Sequence, residues 1–219
     1  DFHGGPLSLM IVDHFTILTA HHFGNAFDSM LRLRHKVFVE RAGWVIPNLN
    51  HREADQFDHP LWTHYFTIRD DDQVVRACGR MVRTDHPYML EALWPELAHG
   101  HELPKSARVA EGSRMCVDPD LPKGAHTYHH ALCTLAGMEW AWAHGIEHFV
   151  FVTYPSKARA LEQLGLKPTI YGPAIRIGEE EFLAGHYSTA PSSSQRIRDV
   201  FGIEGSVIDI HEYEEEVAA

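Results

Sequence analysis

Cysteine is the first shortage: the 219-residue chain holds three, Cys78, Cys116 and Cys133, odd in number and far apart. That pattern excludes a disulfide framework and points to a reducing, cytoplasmic setting. No run of about 18 apolar residues occurs, so neither a membrane span nor a membrane partner is expected. Basic residues are outnumbered, 19 against 30, and the formal net charge is −11. Such an acidic chain is not suited to nucleic acid. The HExxH and Cys/His finger spacings of common metal sites are also missing, as are internal repeats and a linker-like stretch. One domain over residues 1–219 is the reading that follows. The opening DFHGGPLS has no basic n-region or apolar h-region and does not read as a signal peptide. Residues 1–9 read as an expression remnant or a disordered N-terminus, with Met10 as the native start.

What is present is unevenly distributed. Residues 1–104 carry a net −5, residues 105–178 a net +2, and residues 179–219 a net −8. The middle stretch is therefore the part able to accept an anion, chiefly through Lys123, Lys157, Arg159, Lys167 and Arg176. Histidine is abundant, at 18. In HTYHH (126–130) a helix would put His126, His129 and His130 on one face, but no further ligand spacing accompanies them. They read as solvated or core-edge histidines, and no metal is expected.

Strand-like and helix-like segments alternate. Residues 10–20 read as a first strand and 25–40 as an amphipathic helix with Asn25 as N-cap. The polar stretch 43–60 is long for a connection and reads as a functional loop. Residues 63–70 and 73–83 flank an Asp-Asp turn and predict a β-hairpin. A short helix broken at Pro95 covers 86–97, a strand 107–118, and the clearest helix 123–145, ending on a glycine. Then come a buried strand (147–154), a helix opened by Pro155 (155–165) and one strand over 168–178. The remainder reads as an acidic tail with a serine-capped segment inside it. The alternation predicts an α/β sandwich around a mixed sheet flanked by helices.

One loop concentrates chemistry. HREADQFD (51–58) sets Glu53, Asp55 and Asp58 close together, with Arg34 and Phe38 four residues apart on the preceding helix and Trp44 at the loop's mouth. Arg80 lies on the second hairpin strand, and Glu111, Ser113 and Arg114 on the next one. In a regular strand Glu111 and Ser113 face one side and Arg114 the other, whereas a bulge would let Glu111 and Arg114 meet. An acidic loop suits a cationic ligand, an aromatic such as Trp44 can cover a cation, and a guanidinium can take a carboxylate bidentately. A partly desolvated Glu111 could accept a proton from an attacking amine.

RHKVFVERAGW (34–44), EADQFD (53–58), the Arg80 strand and EGSR (111–114) together resemble the LuxI-type autoinducer synthases, the acyl-homoserine-lactone synthases. Nine of ten signature positions match in order, and Trp94 stands where the family carries Phe. The likeness covers roughly residues 10–178. It implies a three-layer sandwich like that of the GNAT acetyltransferases. It also implies a reaction between S-adenosylmethionine, as substrate rather than cofactor, and an acyl thioester on acyl carrier protein or coenzyme A. The α-amine attacks the thioester carbonyl. The methionine carboxylate then displaces the sulfonium, closing the homoserine lactone and releasing methylthioadenosine.

Under that resemblance Arg34, Phe38, Trp44, Glu53, Asp55, Asp58 and Arg80 are expected around S-adenosylmethionine. Glu111 is the candidate base, Arg34 or Arg114 the carboxylate partner, and Ser113 a hydrogen-bonding group. Each arginine could instead make a scaffold salt bridge to Asp55 or Asp58, Arg80 above all, which would then only orient the acidic loop. Trp94, Met115, Leu132, Trp140, Phe151 and Thr153 are candidates for the acyl pocket. After the central strand, DPDLPKGAHTYHH keeps only a vestige of a Gly-rich pyrophosphate loop, which favours a carrier protein over coenzyme A. Lys123, Lys157, Arg159 and Lys167 would meet its acidic surface. Two other readings stand beside this one: an N-acyltransferase acting on another amine, and a non-catalytic sensor of S-adenosylmethionine or an acyl carrier.

Overall fold

The computed structural model describes residues 11–208, so the readings made for residues 1–9, for Met10 and for the acidic end of the chain lie outside it. The predicted hairpin forms from β4 (Thr63–Arg69) and β5 (Val75–Arg83). Its turn is closed by Asp70, whose side chain accepts the Val74 N–H at 2.9 Å. Along β4, Tyr65 packs with the cluster on one side while Phe66 and Ile68 join the cluster on the other. A strand covered on both faces belongs inside a layered sandwich.

The sheet runs β1 (Asp13–Phe15), β4, β5, β6 (Val109–Val117), β7 (His148–Thr153), β10 (Glu180–Ser188) and β8 (Thr169–Ile170), with β9 (Ile175–Ile177) also on β10. Pairings are antiparallel except β6 with β7, which is parallel. Against one face pack α3 (Lys123–Ala143), α4 (Pro155–Gln163) and α5 (Pro191–Phe201). Against the other pack α1 (Ala26–Arg34), the π-helical turn His35–Arg41 that continues it, and α2 (Met89–Leu93). The result is the expected three-layer mixed α/β sandwich.

α3 is apolar nearly all round, as a helix buried over a sheet must be. Gly137 faces β5, and a Cβ there would meet the tip of the flexible Met81 side chain, which would have to swing aside. Gly185 permits a close approach within the sheet: a Cβ would strike the Thr169 carbonyl oxygen and push β8 off β10.

Several expectations change. The first strand shrinks to Asp13–Phe15 and gives way to a 3-10 turn at Ala20–Phe23. The helix expected over 25–40 is α-helical only to Arg34, and Asn25 stands at its N-cap without a side-chain hydrogen bond. The strand expected over 168–178 is two short ones. The larger correction concerns the tail. FLAGHYS belongs to β10, an internal strand with Leu183, Ala184 and Tyr187 buried, and only its glutamate-rich start is exposed. The serine segment forms α5, entered through Ala190 and Pro191 rather than a serine cap.

His14 and His64 sit on neighbouring strands with their rings bridged, Nε2 to Nδ1, at 3.0 Å and stacked beside Trp140. Burial, and after it the charge of His144, holds His64 at a pKa of about 3, and burial with His64 holds His14 well below its usual value. Both are neutral in the folded chain, whereas the unfolded chain protonates them near pH 6.5. Their contribution is complete above about 6.5 and is lost as pH falls toward 3, at about 1.4 kcal/mol per histidine per pH unit. Urea unfolding from pH 7 to 4 should show His64→Gln losing less stability than the wild type, and parallel curves would contradict this.

Candidate active site

The residues singled out in HREADQFD close into one buried ion network. A two-residue hairpin of β2 (Asn48–Leu49) and β3 (Arg52–Glu53) delivers Glu53 beneath α1. There Arg34 donates from Nε to Glu53 Oε2 at 2.6 Å and from both terminal nitrogens to Asp58 at 2.8 and 2.9 Å. Arg80 reaches Asp55 at 2.6 and 3.2 Å, Asp58 at 3.1 Å and Ser113 Oγ at 3.1 Å. Arg114 takes Asp55 at 2.7 Å and Glu53 at 3.2 Å. Tyr65 Oη donates to Asp58 at 2.9 Å. Three guanidiniums thus meet three carboxylates.

Burial alone would raise the Asp58 pKa, but the Arg34 hydrogen bonds and the Arg80 charge outweigh it and hold the carboxyl well below its usual range. Arg34 and Glu53 are fully buried. The salt-bridge alternative for the arginines is the one the structure shows: Glu53, Asp55 and Asp58 are each taken up by arginine.

Arg114 arrives through the bulge that would let it meet Glu111. The β5–β6 register shifts between Cys78 and Arg80, and Arg114 itself adopts a φ of 51°. Its guanidinium lies 5.6 Å from the Phe38 ring and 5.9 Å from Trp44, which stack on each other at 4.9 Å. The same side of β6 carries Glu111, whose two oxygens accept the backbone N–H groups of Met89 (2.9 Å) and Leu90 (2.7 Å). Burial pushes the Glu111 pKa up to about 7, against those two hydrogen bonds and the charges of Arg80 and Arg114. A carboxyl in that range can both take and return a proton near neutrality.

Next to Glu111 the sheet opens. β6 and β7 pair at Val109–His148, Ala110–Phe149 and Glu111–Val150, and no further. Beyond that point the inner edges of Gly112–Met115 and Phe151–Thr153 lack each other as partners, so their backbone polar groups are available to a ligand. α3 follows β6 and α4 follows β7, so both helices begin at the carboxyl ends of the parallel pair, where open α/β sheets bind ligands. Lys123 and Lys157 are exposed on their first turns, with Arg159 close behind. Burial, and after it the charges of Lys157 and Arg41, hold His126 below its usual value. Lys167 lies past the far end of α4 and does not share this rim.

The acyl-pocket candidates divide between the faces. Met115, Leu132 and Phe151 belong to the cluster beneath α3, and Trp94 to the cluster on the opposite face. The β6–β7 pairing ends between the two clusters, and Thr153 is the last residue of β7. Trp140 does not fit this pocket. It packs on His14, His64 and Phe66 over β1 and β4, two strands away from β6. The histidine run resolves as structural: His129 Nδ1 contacts the Ala125 carbonyl at 2.7 Å, and burial holds His130 at about 4.

Sequence reasoning missed Tyr154, Phe182 and Met89. Trp44 Nε1 donates to Tyr154 Oη at 2.9 Å, Tyr154 stacks on Phe182 at 4.8 Å, and Phe182 faces Trp94 at 6.2 Å. These rings form a continuous belt from Phe38 through Trp44, Tyr154 and Phe182 to Trp94. Met89 Sδ sits 3.0 Å from Arg80 Nη2 and 3.6 Å from Arg114 Nη1. Tyr154 had one visible signal, its place just before the proline that starts α4.

A family model described as autoinducer synthase matches residues 19–197. An acyl-homoserine-lactone synthase of Rhizobium radiobacter is 32% identical over 180 residues, which is 80% of this chain and 84% of that protein. Among solved structures, the AHL synthase LasI superposes with a TM-score of 0.77 at 28% identity, covering 88% of this chain and 96% of that one. BjaI, a CoA-dependent acyl-homoserine lactone synthase solved with SAM and isopentyl-CoA, reaches a TM-score of 0.82 over 91% and 92% of the two chains. At 20% identity that last likeness shows the fold alone.

Removing one counter-charge tests the network. Glu53→Gln keeps the shape of the side chain but leaves Arg34 and Arg114 short of a buried partner, at a cost of about 3–5 kcal/mol. Denaturant unfolding at pH 7 checks this, and a loss below about 0.5 kcal/mol, as at an ordinary surface position, would contradict it.

Proposed function

The chain belongs to the autoinducer synthase family and is an acyl-homoserine-lactone synthase; we propose that its β6–β7 opening receives the acyl thioester while the aromatic rim around Arg114 receives S-adenosylmethionine. The observation that carries this division is the end of strand pairing at Glu111–Val150, directly beside the carboxyl and the guanidinium that the chemistry requires. Pantetheine carries amides, and the unpaired strand edges offer complementary donors and acceptors.

Arg114 is the guanidinium assigned to the methionine carboxylate. Arg34 is fully enclosed by Glu53 and Asp58, whereas Arg114, although buried, keeps 9% of its surface accessible and lies beside Phe38 and Trp44. Trp44, partly exposed, covers the sulfonium or the adenine, since a desolvated cation over an aromatic face gains about 2 kcal/mol. Arg34 and Arg80 position the loop, and Asp55 and Asp58 hold the arginines. Glu111 takes the proton of the attacking ammonium, directly or through a water, while its anchoring of Met89 and Leu90 keeps α2 over the site. Ser113 orients Arg80 and contributes no nucleophile. The amine forms the amide bond as the thiol leaves. The carboxylate, turned by Arg114, then closes the ring as the carbon–sulfur bond breaks.

A carrier-borne thioester is the donor favoured by the exposed Lys123, Lys157 and Arg159 beside the opening. Such rim charges act mainly on encounter rate and are sensitive to salt.

Purified protein incubated with S-adenosylmethionine and a panel of carrier and coenzyme A thioesters should yield an acyl-homoserine lactone and methylthioadenosine by mass spectrometry. An acylated amine without lactone would favour an ordinary acyltransferase. Binding of S-adenosylmethionine without any product would favour a sensor. Glu111→Gln should lower kcat about 100-fold or more with KM for S-adenosylmethionine nearly unchanged, and should remove the limb of the pH profile near 7. An unaltered profile would exclude Glu111 as the base.

A further inference from the structure

We propose that His35, Glu40 and His51 form a binding site for a divalent transition-metal ion of the zinc type, clamping the π-helical turn to the β2–β3 hairpin. His35 Nδ1 lies 3.3 Å from Glu40 Oε1, His51 Nδ1 lies 3.8 Å from the same oxygen, and one donor atom from each residue falls within 4.8 Å of the others. Ligand atoms about 2.1 Å from a tetrahedral ion stand about 3.4 Å apart, so two of these separations need little change. Glu40 and His51 are exposed and free to adjust, while His35 is held in a buried position. Two imidazoles with one carboxylate favour zinc, nickel or copper over calcium or magnesium, which take oxygen.

The backbone supplies two reasons for the arrangement. His35 and Glu40 are five residues apart in a π-helical turn, where that spacing brings them to one face. His51 is the second residue of the two-residue hairpin loop, with φ values of 50° at Asn50 and 58° at His51. Glycine is the unstrained choice at such a position, so the chain carries an imidazole there at a conformational cost. Among the described residues, this is the His, Cys, Asp and Glu grouping that brings three donors together, and it is not the HTYHH run.

Its placement gives the ion a role that does not depend on the reaction. His35 follows Arg34 directly, and His51 lies two residues before Glu53. An ion joining them would tie the loop that holds the arginine network to the helix that carries Arg34. Binding to the folded chain alone raises its apparent stability with ion concentration.

The test is titration of the full chain with Zn2+ by calorimetry, paired with thermal unfolding, for wild type, Glu40→Gln and His51→Asn. Asn tolerates the positive φ, and both side chains are exposed, so folding is not at issue. The wild type should bind one equivalent with a rise in Tm, each variant should bind at least about tenfold more weakly, and Mg2+ should produce neither effect. No binding by the wild type, or equal zinc affinity in wild type and both variants, would overturn the proposal.

Discussion

A guanidinium cannot sit in a protein interior without a counter-charge, and this chain buries three around one point. Arg34 comes from α1, Arg80 from β5 and Arg114 from β6, while all three carboxylates come from a single loop. Desolvating such groups costs several kcal/mol each, so the network adds little net stability as a whole but is costly to break in part. That asymmetry gives the loop its conformation. Glu53 must reach under the helix to serve Arg34 and Arg114, and Asp55 and Asp58 must turn back to close on Arg80. Once closed, the loop carries Trp44 to the edge of the sheet and leaves Arg114 as the arginine still reachable beside the aromatic rings.

The second constraint is the change of strand direction. β5 and β6 are antiparallel with a bulge, and β6 and β7 are parallel for only three residue pairs. The bulge turns Arg114 to the Glu111 side, and the short parallel pairing leaves the strand edges open next to both. Glu111, Arg114 and the unpaired strand edges therefore converge along β6 and β7, with helix starts on the far side. No catalytic nucleophile is needed in such a site, since the reactants carry their own.

Much of this was legible in the sequence because periodicity and turn chemistry report local structure. The β4–β5 hairpin, α3, β7 and α4 follow from alternation, proline and glycine. Motif order singled out the residues that gather in the buried ion network. Their pairing was legible only as one of two options: salt bridges to Asp55 or Asp58, expected above all for Arg80, do form. An acidic loop looks the same whether its carboxylates face a ligand or arginine, and the arginines are separated from it by up to 61 residues in the chain. β10 escaped because the glutamates just before and at its start, Glu179 to Glu181, mask a buried strand, and with it went Phe182. Trp140 was assigned to the pocket because it lies on the helix expected to line it, whereas its place near the far end of α3 puts it over β1 and β4.

The central claim is that the carboxylates act through the arginines rather than by touching the ligand. A double-mutant cycle on Arg34→Gln and Asp58→Asn, read as S-adenosylmethionine affinity by calorimetry, tests it directly. The two losses should overlap, with the double variant binding about as well as the weaker single one and a coupling of about 1–3 kcal/mol. Losses that simply add would mean that Asp58 meets the ligand by itself, contradicting the account.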